Sequence, residues 1–329
     1  MKKTSPLTPK TATADTFDVL ALGEVVIDLI SEQIVSTLAE ADHYTRFLGG
    51  EVTNVALNIA KLKGRAAVVG CVGDDGFGRY ARRQLELAGV NTTYLRLSSK
   101  APTTLVVNAR QTETPDFVIC RGADACISPE DEQLAAIKAS RVVHTSAFAL
   151  SRNPARSTIL DALKTARQNN CLVSLDPNYH PRIWPDVTDF QEVLAEAYQS
   201  VNITKPSLDD CKRLFGAELS PSACIERFLS WGVEIVALTM GRQGVLLATA
   251  DGSRFHVQPR DIAVADVTGA GDAFWAGLLI ALLDGYSPNE AAYVGQMVSE
   301  AKIGTVGPVA TMPDRAAFYR RLNDMKQGR

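Results

Sequence analysis

Cysteine and histidine are too sparse and too irregularly spaced in this sequence for familiar metal chemistry. Six cysteines occur, none of them in a C-x-x-C pair, and the four histidines are scattered along 329 residues. These spacings disfavour a zinc site. A disulfide framework is not expected either, because such frameworks belong to small secreted domains. We therefore expect free, buried thiols in a reducing cytoplasm.

Long apolar runs and an apolar N-terminus are also lacking. The longest apolar run, Ala273–Leu283, is too short to span a bilayer. The segment Met1–Asp15 is rich in Lys, Thr and Pro and lacks the apolar core of a signal peptide. A net charge of −3 gives no reason to expect a nucleic-acid partner. We expect a cytoplasmic protein, with no membrane partner and with a disordered tail over residues 1–15.

Three common catalytic motifs are absent. The sequence contains no G-x-x-x-x-G-K-[ST], no G-x-G-x-x-G and no G-x-S-x-G. A Walker-type P-loop is therefore excluded, and a nucleophile-elbow hydrolase is disfavoured. An NAD-dependent dehydrogenase is a weaker alternative, since its dinucleotide fingerprint is missing.

What is present is an alternation of short Val/Ile/Leu-rich runs with longer amphipathic segments. Hydrophobic residues make up 46% of the chain and charged residues 22%, as in an ordinary globular protein. The alternation predicts one large α/β domain over residues 16–314, with a mostly parallel sheet covered on both faces and a C-terminal helix at 315–329. Two polar, β-branched stretches, Ser31–Phe47 and Lys100–Arg121, break the pattern. They are either surface hairpins or one small inserted sheet placed as a lid, at about residues 31–48 and 100–122.

Polar clusters follow several of the predicted strands. They are Asp28, the stretch 49–54, Asp176-Pro177-Asn178, Lys205-Pro206-Ser207 and the turn 241–244. Ligands of open parallel sheets bind beyond the carboxyl ends of the strands, so these clusters share one predicted edge. Each cluster alone is also typical of an ordinary turn.

The most informative segment is 266–272, with the sequence DVTGAGD. It joins a strand-like stretch, Asp261–Ala265, to an apolar helical run that begins at Ala273. Small residues at 269–271 let a ligand approach the backbone, and the N-terminus of a helix attracts anions. Asp272 is then explained as a base that takes a proton from a hydroxyl while neighbouring amides hold a phosphoryl group. The alternative is a helix N-cap with an acidic first turn.

These motifs together resemble those of the ribokinase-like (PfkB) family of carbohydrate kinases. The stretch GGEVTNVA at 49–56, continued by VGCVGDDGFG at 69–78, resembles the first family signature, and 266–272 resembles the second. The resemblance runs from about Phe17 to about Pro313. It implies a three-layer α/β/α fold with a small β-sheet lid that pairs with another subunit in a homodimer.

The resemblance also implies ATP-dependent phosphorylation of a sugar hydroxyl, with Asp272 as general base. The amides of Gly269, Ala270 and Gly271 would form an anion hole for the transferred phosphoryl group. The implied substrate contacts are Asp28, Gly49, Gly50, Asn54, Asn108, Asn178 and Arg182. The implied nucleotide contacts are Asp176, Ser207, Thr239, Gly241 and Gly244.

Two departures from the family pattern concern the substrate and the metal. In the fructokinase-type D-x-N-x-R region the arginine position is His180, and Arg182 follows two residues on, so which of them reaches the substrate stays open. The N-x-x-E motif that serves magnesium corresponds here to Ser207–Asp210. Asp210 is expected to hold magnesium through a water molecule. Asp266 and Thr268, with carbonyl groups near 302–307, resemble a monovalent-cation loop, which implies potassium activation.

The expected activity is that of a sugar kinase using ATP and Mg²⁺, with fructose as the leading substrate. Other ketoses, 2-keto-3-deoxygluconate, ribose and nucleosides stay open, because lid residues do not identify a sugar by their spacing. A different class of function is a sugar- or nucleotide-binding protein that keeps the fold and has lost catalysis, for which the altered Ser207–Asp210 motif is the supporting feature.

Overall fold

Nine strands form the central sheet of the computed structural model, which describes residues 10–13, 16–110, 116–305 and 312–327. The sheet order is β13-β12-β11-β10-β9-β8-β1-β4-β5. Its strands are β1 (Phe17–Leu22), β4 (Ala66–Gly73), β5 (Leu95–Ser98), β8 (Ser140–Ser146), β9 (Leu172–Asp176), β10 (Ile203–Thr204), β11 (Ile235–Thr239), β12 (Val245–Thr249) and β13 (Arg254–Val257). All pairings from β5 to β11 are parallel, and β12 and β13 add an antiparallel edge.

Helices cover both faces of this sheet, as predicted. They are α1 (Glu51–Lys61), α2 (Gly76–Leu87), α3 (Asp131–Lys138), α4 (Ala155–Gln168), α5 (Val187–Tyr198), α6 (Leu208–Phe215), α7 (Pro221–Ser230), α8 (Ala270–Leu283), α9 (Pro288–Ile303) and α10 (Arg315–Lys326). Helices α1, α2, α8, α9 and α10 bury their apolar residues in one core, and α3 to α7 bury theirs in the other. Among the described residues, no helix is long and apolar enough to cross a membrane.

The two stretches that broke the alternation form one small sheet. Its order is β3-β2-β6-β7, with β2 (Val26–Ile34), β3 (Tyr44–Gly49), β6 (Leu105–Arg110) and β7 (Phe117–Cys120). The β2–β6 pair is parallel, and the outer pairs are antiparallel. The sheet begins at Val26 rather than at Ser31, so Asp28 lies within a strand of this sheet.

Two expectations from the sequence are wrong. The stretch 261–265 is not a strand, because the amides of Ala265 and Asp266 donate to the Ile303 carbonyl at the end of α9 and not to a neighbouring strand. The cysteines are not all free, since Cys211 and Cys224 form a disulfide between α6 and α7. The packing of these two helices brings the cysteines together, and their spacing in the sequence did not indicate it.

The predicted tail over residues 1–15 lies largely outside the described residues. Residues 10–13 are described, and Lys10 Nζ donates to the Lys138 carbonyl over 3.0 Å. The predicted C-terminal helix corresponds to α10.

Candidate active site

Asp272 lies in the first turn of α8, where it meets α1 and the small sheet. Asn54 Nδ2, from α1, donates to Asp272 Oδ2 over 2.8 Å. Asp28, from β2, is half-buried and close enough to Asp272 for the two carboxylates to repel each other. Burial raises the pKa of Asp272 to about 6, although the Lys205 ammonium and the Asn54 hydrogen bond lower it. The structure therefore gives Asp272 the protonation behaviour that a general base needs near neutral pH.

Several of the predicted sugar contacts lie close to Asp272 or to one another. Asn108 Nδ2, from β6, donates to Asp28 Oδ1 over 3.4 Å, and burial together with the Asp272 carboxylate raises the pKa of Asp28 to about 7. A β-carbon on Gly49 would lie 2.0 Å from Asp28 Oδ2, so any side chain there would displace this carboxylate. Asn54 Oδ1 is buried and has no hydrogen-bond partner among the described residues.

Gly50 is required by the backbone conformation at the start of α1. Its φ of 104° is a conformation that favours glycine, and a β-carbon there would lie 2.5 Å from the Glu24 carbonyl oxygen. The Gly50 carbonyl accepts the Asn54 amide over 2.8 Å, which begins α1. Gly50 thus sets the direction in which α1 leaves β3, and with it the position of Asn54.

A buried lysine lies at the same edge of the sheet. Lys205, directly after β10, places its Nζ 2.5 Å from Asp176 Oδ2, at the end of β9. Burial lowers the pKa of Lys205, but the carboxylates of Asp176 and Asp272 raise it by more, so the ammonium stays charged. Its Nζ lies 3.2 Å from the place that a β-carbon on Gly271 would occupy. A cation is therefore held against the N-terminus of α8.

The turn before α8 has the features of an anion site. Gly269 adopts the left-handed conformation at the N-cap, with φ of 73°. The Ala270 amide donates to the Val267 carbonyl over 3.1 Å, whereas no described residue accepts a hydrogen bond from the amides of Gly269 or Gly271. Two of the three predicted donors thus remain available to a ligand.

A buried pair, Glu51 and His144, lies behind Asp272. The carboxylate oxygens of Glu51, Asp176 and Asp272 lie within 4.8 Å of one another. His144 Nε2, in β8, lies 3.0 Å from both Glu51 oxygens, and its Nδ1 lies 2.9 Å from Ser174 Oγ. Burial lowers the pKa of His144 to about 4, so the imidazole is neutral. The pair connects the start of α1 to the central sheet behind Asp272.

Ser207 and Asp210 form a capping box at the start of α6. The Asp210 amide donates to Ser207 Oγ over 3.0 Å, and Asp210 Oδ2 accepts from the Ser207 amide over 3.1 Å. Burial and the nearby Asp176 carboxylate raise the pKa of Asp210 to about 6. Asp210 thus has a structural role in α6 and is also close to the acidic cluster.

The predicted nucleotide turn follows β11. Gly241 and Gly244 have φ values of 55° and 81°, which favour glycine. Thr239, at the end of β11, bridges in parallel to Ser207, so this turn borders the capping box of α6. An open cavity of about 580 Å³ lies beside the turn, with Arg242 and His256 in its lining. The space beside this turn is therefore accessible to a ligand.

The loop after β9 connects the site to the small sheet. Asn178 has φ of 34°, and its amide donates to Asp176 Oδ1 over 3.1 Å. Arg182 Nη1 forms an ion pair with Asp116 Oδ1 at 2.9 Å, and the His180 ring packs on Phe117, with ring centroids 4.6 Å apart. Both candidates for the arginine position thus contact the start of β7, and in this structure Arg182 is engaged there by a carboxylate.

Asp266 and Thr268 lie in the turn that precedes α8. The Thr268 amide donates to Asp266 Oδ1 over 2.9 Å. The Asp266 carbonyl accepts from Nζ of Lys302, a fully buried side chain in the last turn of α9. The region of the predicted monovalent-cation loop therefore contains a lysine ammonium.

No individual role was predicted from the sequence for Glu51, His144 or Lys302, and Lys205 was named only within the 205–207 cluster. A signal was available for Lys205, because it directly follows a strand at the edge where the other clusters meet. Nothing in the sequence distinguished His144 or Lys302, because His144 lies within β8 and Lys302 within α9, both in segments with the composition of core elements. Their roles depend on neighbours that are distant in the chain.

Comparison with known proteins gives consistent matches over nearly the whole chain. The family model described as pfkB family carbohydrate kinase matches residues 16–315. An ATP-dependent 6-phosphofructokinase of Thermoanaerobacterium thermosaccharolyticum is 33% identical over 299 residues, which cover 91% of each chain.

Solved structures match equally well. The fructokinase of Halothermothrix orenii superimposes with a TM-score of 0.77 at 33% identity, covering 89% of this chain and 100% of that one. A double mutant of the fructokinase of Vibrio cholerae, with fructose, ADP and potassium ion bound, superimposes with a TM-score of 0.81 at 27% identity, covering 94% and 100%. The fold is therefore the ribokinase-like α/β fold.

Proposed function

Because the chain belongs to the pfkB family of carbohydrate kinases and is thus a phosphotransferase, we propose that it transfers the γ-phosphoryl group of ATP to a hydroxyl of fructose or a closely similar sugar. The observation that carries this proposal is the meeting of Asp272, Asn54 and the N-terminus of α8 with the Lys205 ammonium. A base for the acceptor hydroxyl and a cationic, amide-lined anion site then lie side by side.

The acceptor sugar is proposed to bind between Asp28, Asn54 and Asn108. The unpartnered Asn54 Oδ1 would accept a hydrogen bond from a sugar hydroxyl, and the Asp28 carboxylate could accept two more. The backbone around Gly49 and Gly50 would close the pocket, with Asn178 and Arg182 on the loop after β9. Asp272 would then take the proton of the attacking hydroxyl.

The phosphoryl group is proposed to lie against the amides of Gly269 and Gly271, with the Lys205 ammonium on its other side. Phosphoryl transfer depends on positioning and on charge stabilisation, and the two amides and the ammonium are in place before the reaction. The triphosphate would run from there past Ser207 and Asp176 toward Thr239, Gly241 and Gly244. Bound magnesium would neutralise the phosphate charge, and Asp210 is the proposed holder of one of its water ligands.

The substrate proposal is tested by ADP release with ATP and Mg²⁺ across a panel of sugars, sugar acids, nucleosides and fructose 6-phosphate. Fructose is expected to give the highest kcat/KM. The identity to a 6-phosphofructokinase favours fructose 6-phosphate as the second candidate. A best substrate outside the ketoses would refute the fructose preference but not the kinase activity. No turnover with any of them, with ATP binding confirmed, would favour the non-catalytic alternative.

Activity is expected to fall steeply on acidification. Asp272 must be ionised to accept a proton, and Asp28 accepts stronger hydrogen bonds from sugar hydroxyls when it is ionised, while their pKa values are raised to about 6 and about 7. The plot of log kcat/KM against pH should therefore approach a slope of about 2 below pH 6. In Asp28→Asn the slope should approach about 1. A pH-independent wild type between pH 5 and 8 would contradict both assignments.

The small sheet is proposed to act as the lid and as a dimer interface. Ile34 of β2 and Val118 of β7 are 69% and 53% exposed, which is unusual for apolar side chains on strands. We expect a homodimer in light scattering, and we expect Ile34→Lys with Val118→Lys to give a monomer. Met325→Lys, a change at an exposed apolar residue of α10, should leave the dimer intact. A monomeric wild type at high concentration would rule this interface out.

A further inference from the structure

Lys302 carries an ammonium in the interior of the protein. Its side chain has no solvent exposure, and Nζ donates to the Asp266 carbonyl oxygen over 2.8 Å and lies 3.8 Å from Asp266 Oδ2. An ammonium loses its hydration on burial and needs compensating partners. Burial lowers the pKa of Lys302, and the carboxylates of Asp266 and Asp272 oppose that change. The positive charge of Lys302 is therefore directed toward the turn before α8.

The carbonyl groups beside Lys302 already have hydrogen-bond partners. The Ile303 carbonyl accepts from the amides of Ala265 and Asp266, over 2.8 and 3.3 Å. The Lys302 carbonyl accepts from the amide and the hydroxyl of Thr305, each over 3.0 Å. A carbonyl oxygen has two lone pairs, so both of these carbonyls are already fully used as hydrogen-bond acceptors. Of the predicted loop 302–307, the carbonyls of Lys302 and Ile303 are thus engaged by donors of the protein itself, and residues 306 and 307 lie outside the described residues.

Two contacts connect α9 to the proposed anion hole. Lys302 holds the Asp266 carbonyl, at the start of the 266–272 segment, and Ser299 Oγ donates to the Ala270 carbonyl over 3.0 Å. We propose that the Lys302 ammonium replaces the monovalent cation in supporting this turn, so that phosphoryl transfer by this protein does not require potassium. The role of the turn rests on the proposed kinase function, whereas the ion site itself is testable without turnover.

The first test uses the wild-type protein in KCl and in choline chloride at equal ionic strength. We expect the same thermal midpoint and the same kcat in both salts. A thermal midpoint that rises specifically with K⁺, or turnover that requires K⁺, would overturn the proposal. Because the midpoint does not depend on knowing the substrate, this measurement is decisive even if no tested sugar is phosphorylated.

The second test compares Lys302→Met with Ser299→Ala. Lys302→Met removes the charge at similar length, so kcat in choline chloride should fall by about tenfold, less than the 10²–10³-fold effect of removing a direct anion-hole donor. Added K⁺ should restore part of this kcat and raise the thermal midpoint of the variant. Ser299→Ala removes the hydrogen bond from α9 to the Ala270 carbonyl without changing the charge, so the kcat and thermal midpoint of this variant should not respond to K⁺. Wild-type turnover of Lys302→Met in choline chloride would refute the proposal.

Discussion

Asp272→Asn is expected to lose about 10²–10⁴-fold in kcat, the usual contribution of a positioned base. Asparagine is nearly isosteric with aspartate, and its carbonyl oxygen can still accept the hydrogen bond from Asn54 Nδ2. It cannot accept a proton from the sugar hydroxyl. ATP binding, measured by calorimetry, should be retained, because the amides of Gly269 and Gly271 and the Lys205 ammonium remain.

The stability of Asp272→Asn separates lost chemistry from lost folding. The native pKa of Asp272 is raised to about 6 from an ordinary value of 3.8. A carboxyl group with a raised native pKa stabilises the fold at low pH and loses that contribution as pH rises through the native value. The ionised group thus costs on the order of 2–3 kcal/mol at pH 8, which asparagine does not. The variant should be at least as stable as wild type at pH 8, and near-wild-type turnover would mean that the base is misassigned.

Lys205→Met is expected to impair both folding and catalysis, for different reasons. Removing the ammonium leaves the Asp176 carboxylate buried without its cation, since the two atoms lie 2.5 Å apart in the native protein. Breaking a buried pair in this way costs about 3–5 kcal/mol. Removing the cation from the α8 N-terminus should also lower kcat by about 10²–10³-fold, as for loss of a direct donor to the transferred group.

The double variant Lys205→Met with Asp176→Asn distinguishes these two effects. Neutralising Asp176 removes the unpaired charge, so the double variant should regain most of the free energy of unfolding lost in the single variant. Its kcat should stay low, because no cation faces the phosphoryl group. If the double variant regained wild-type turnover, Lys205 would be a structural partner of Asp176 and not a catalytic residue.

Much of the site was predictable because it follows a positional rule. Asp176 ends β9, and Ser207 and the turn 241–244 follow β10 and β11, where parallel strands end at one edge of the central sheet. Asp28 and the 49–54 stretch differ, since Asp28 lies within β2 and the stretch starts at the end of β3, both in the small sheet. The small-residue turn at 269–271 was also recognisable, since close approach of a ligand to the backbone at the N-terminus of a helix requires such residues. For these positions, local sequence and strand direction were enough.

Other features required the packed structure. The stretch 261–265 has strand-like composition, yet the amides of Ala265 and Asp266 donate to the Ile303 carbonyl at the end of α9. Cys211 and Cys224 meet only because α6 packs on α7. The family resemblance implied a substrate contact at Arg182 or His180, and in this structure Arg182 pairs with Asp116, directly before β7.

The α/β alternation, the shared edge of the sheet and the place of Asp272 at the start of a helix could be predicted from the sequence, because they depend on periodicity and on residues adjacent in the chain. Which charges compensate one another depends on the packing of distant segments. Lys205 meets Asp176, His144 meets Glu51, and Lys302 meets Asp266 across 29, 93 and 36 residues. The energy of a buried charge depends on distances of a few ångströms between such groups, and those distances exist only once the layers have packed.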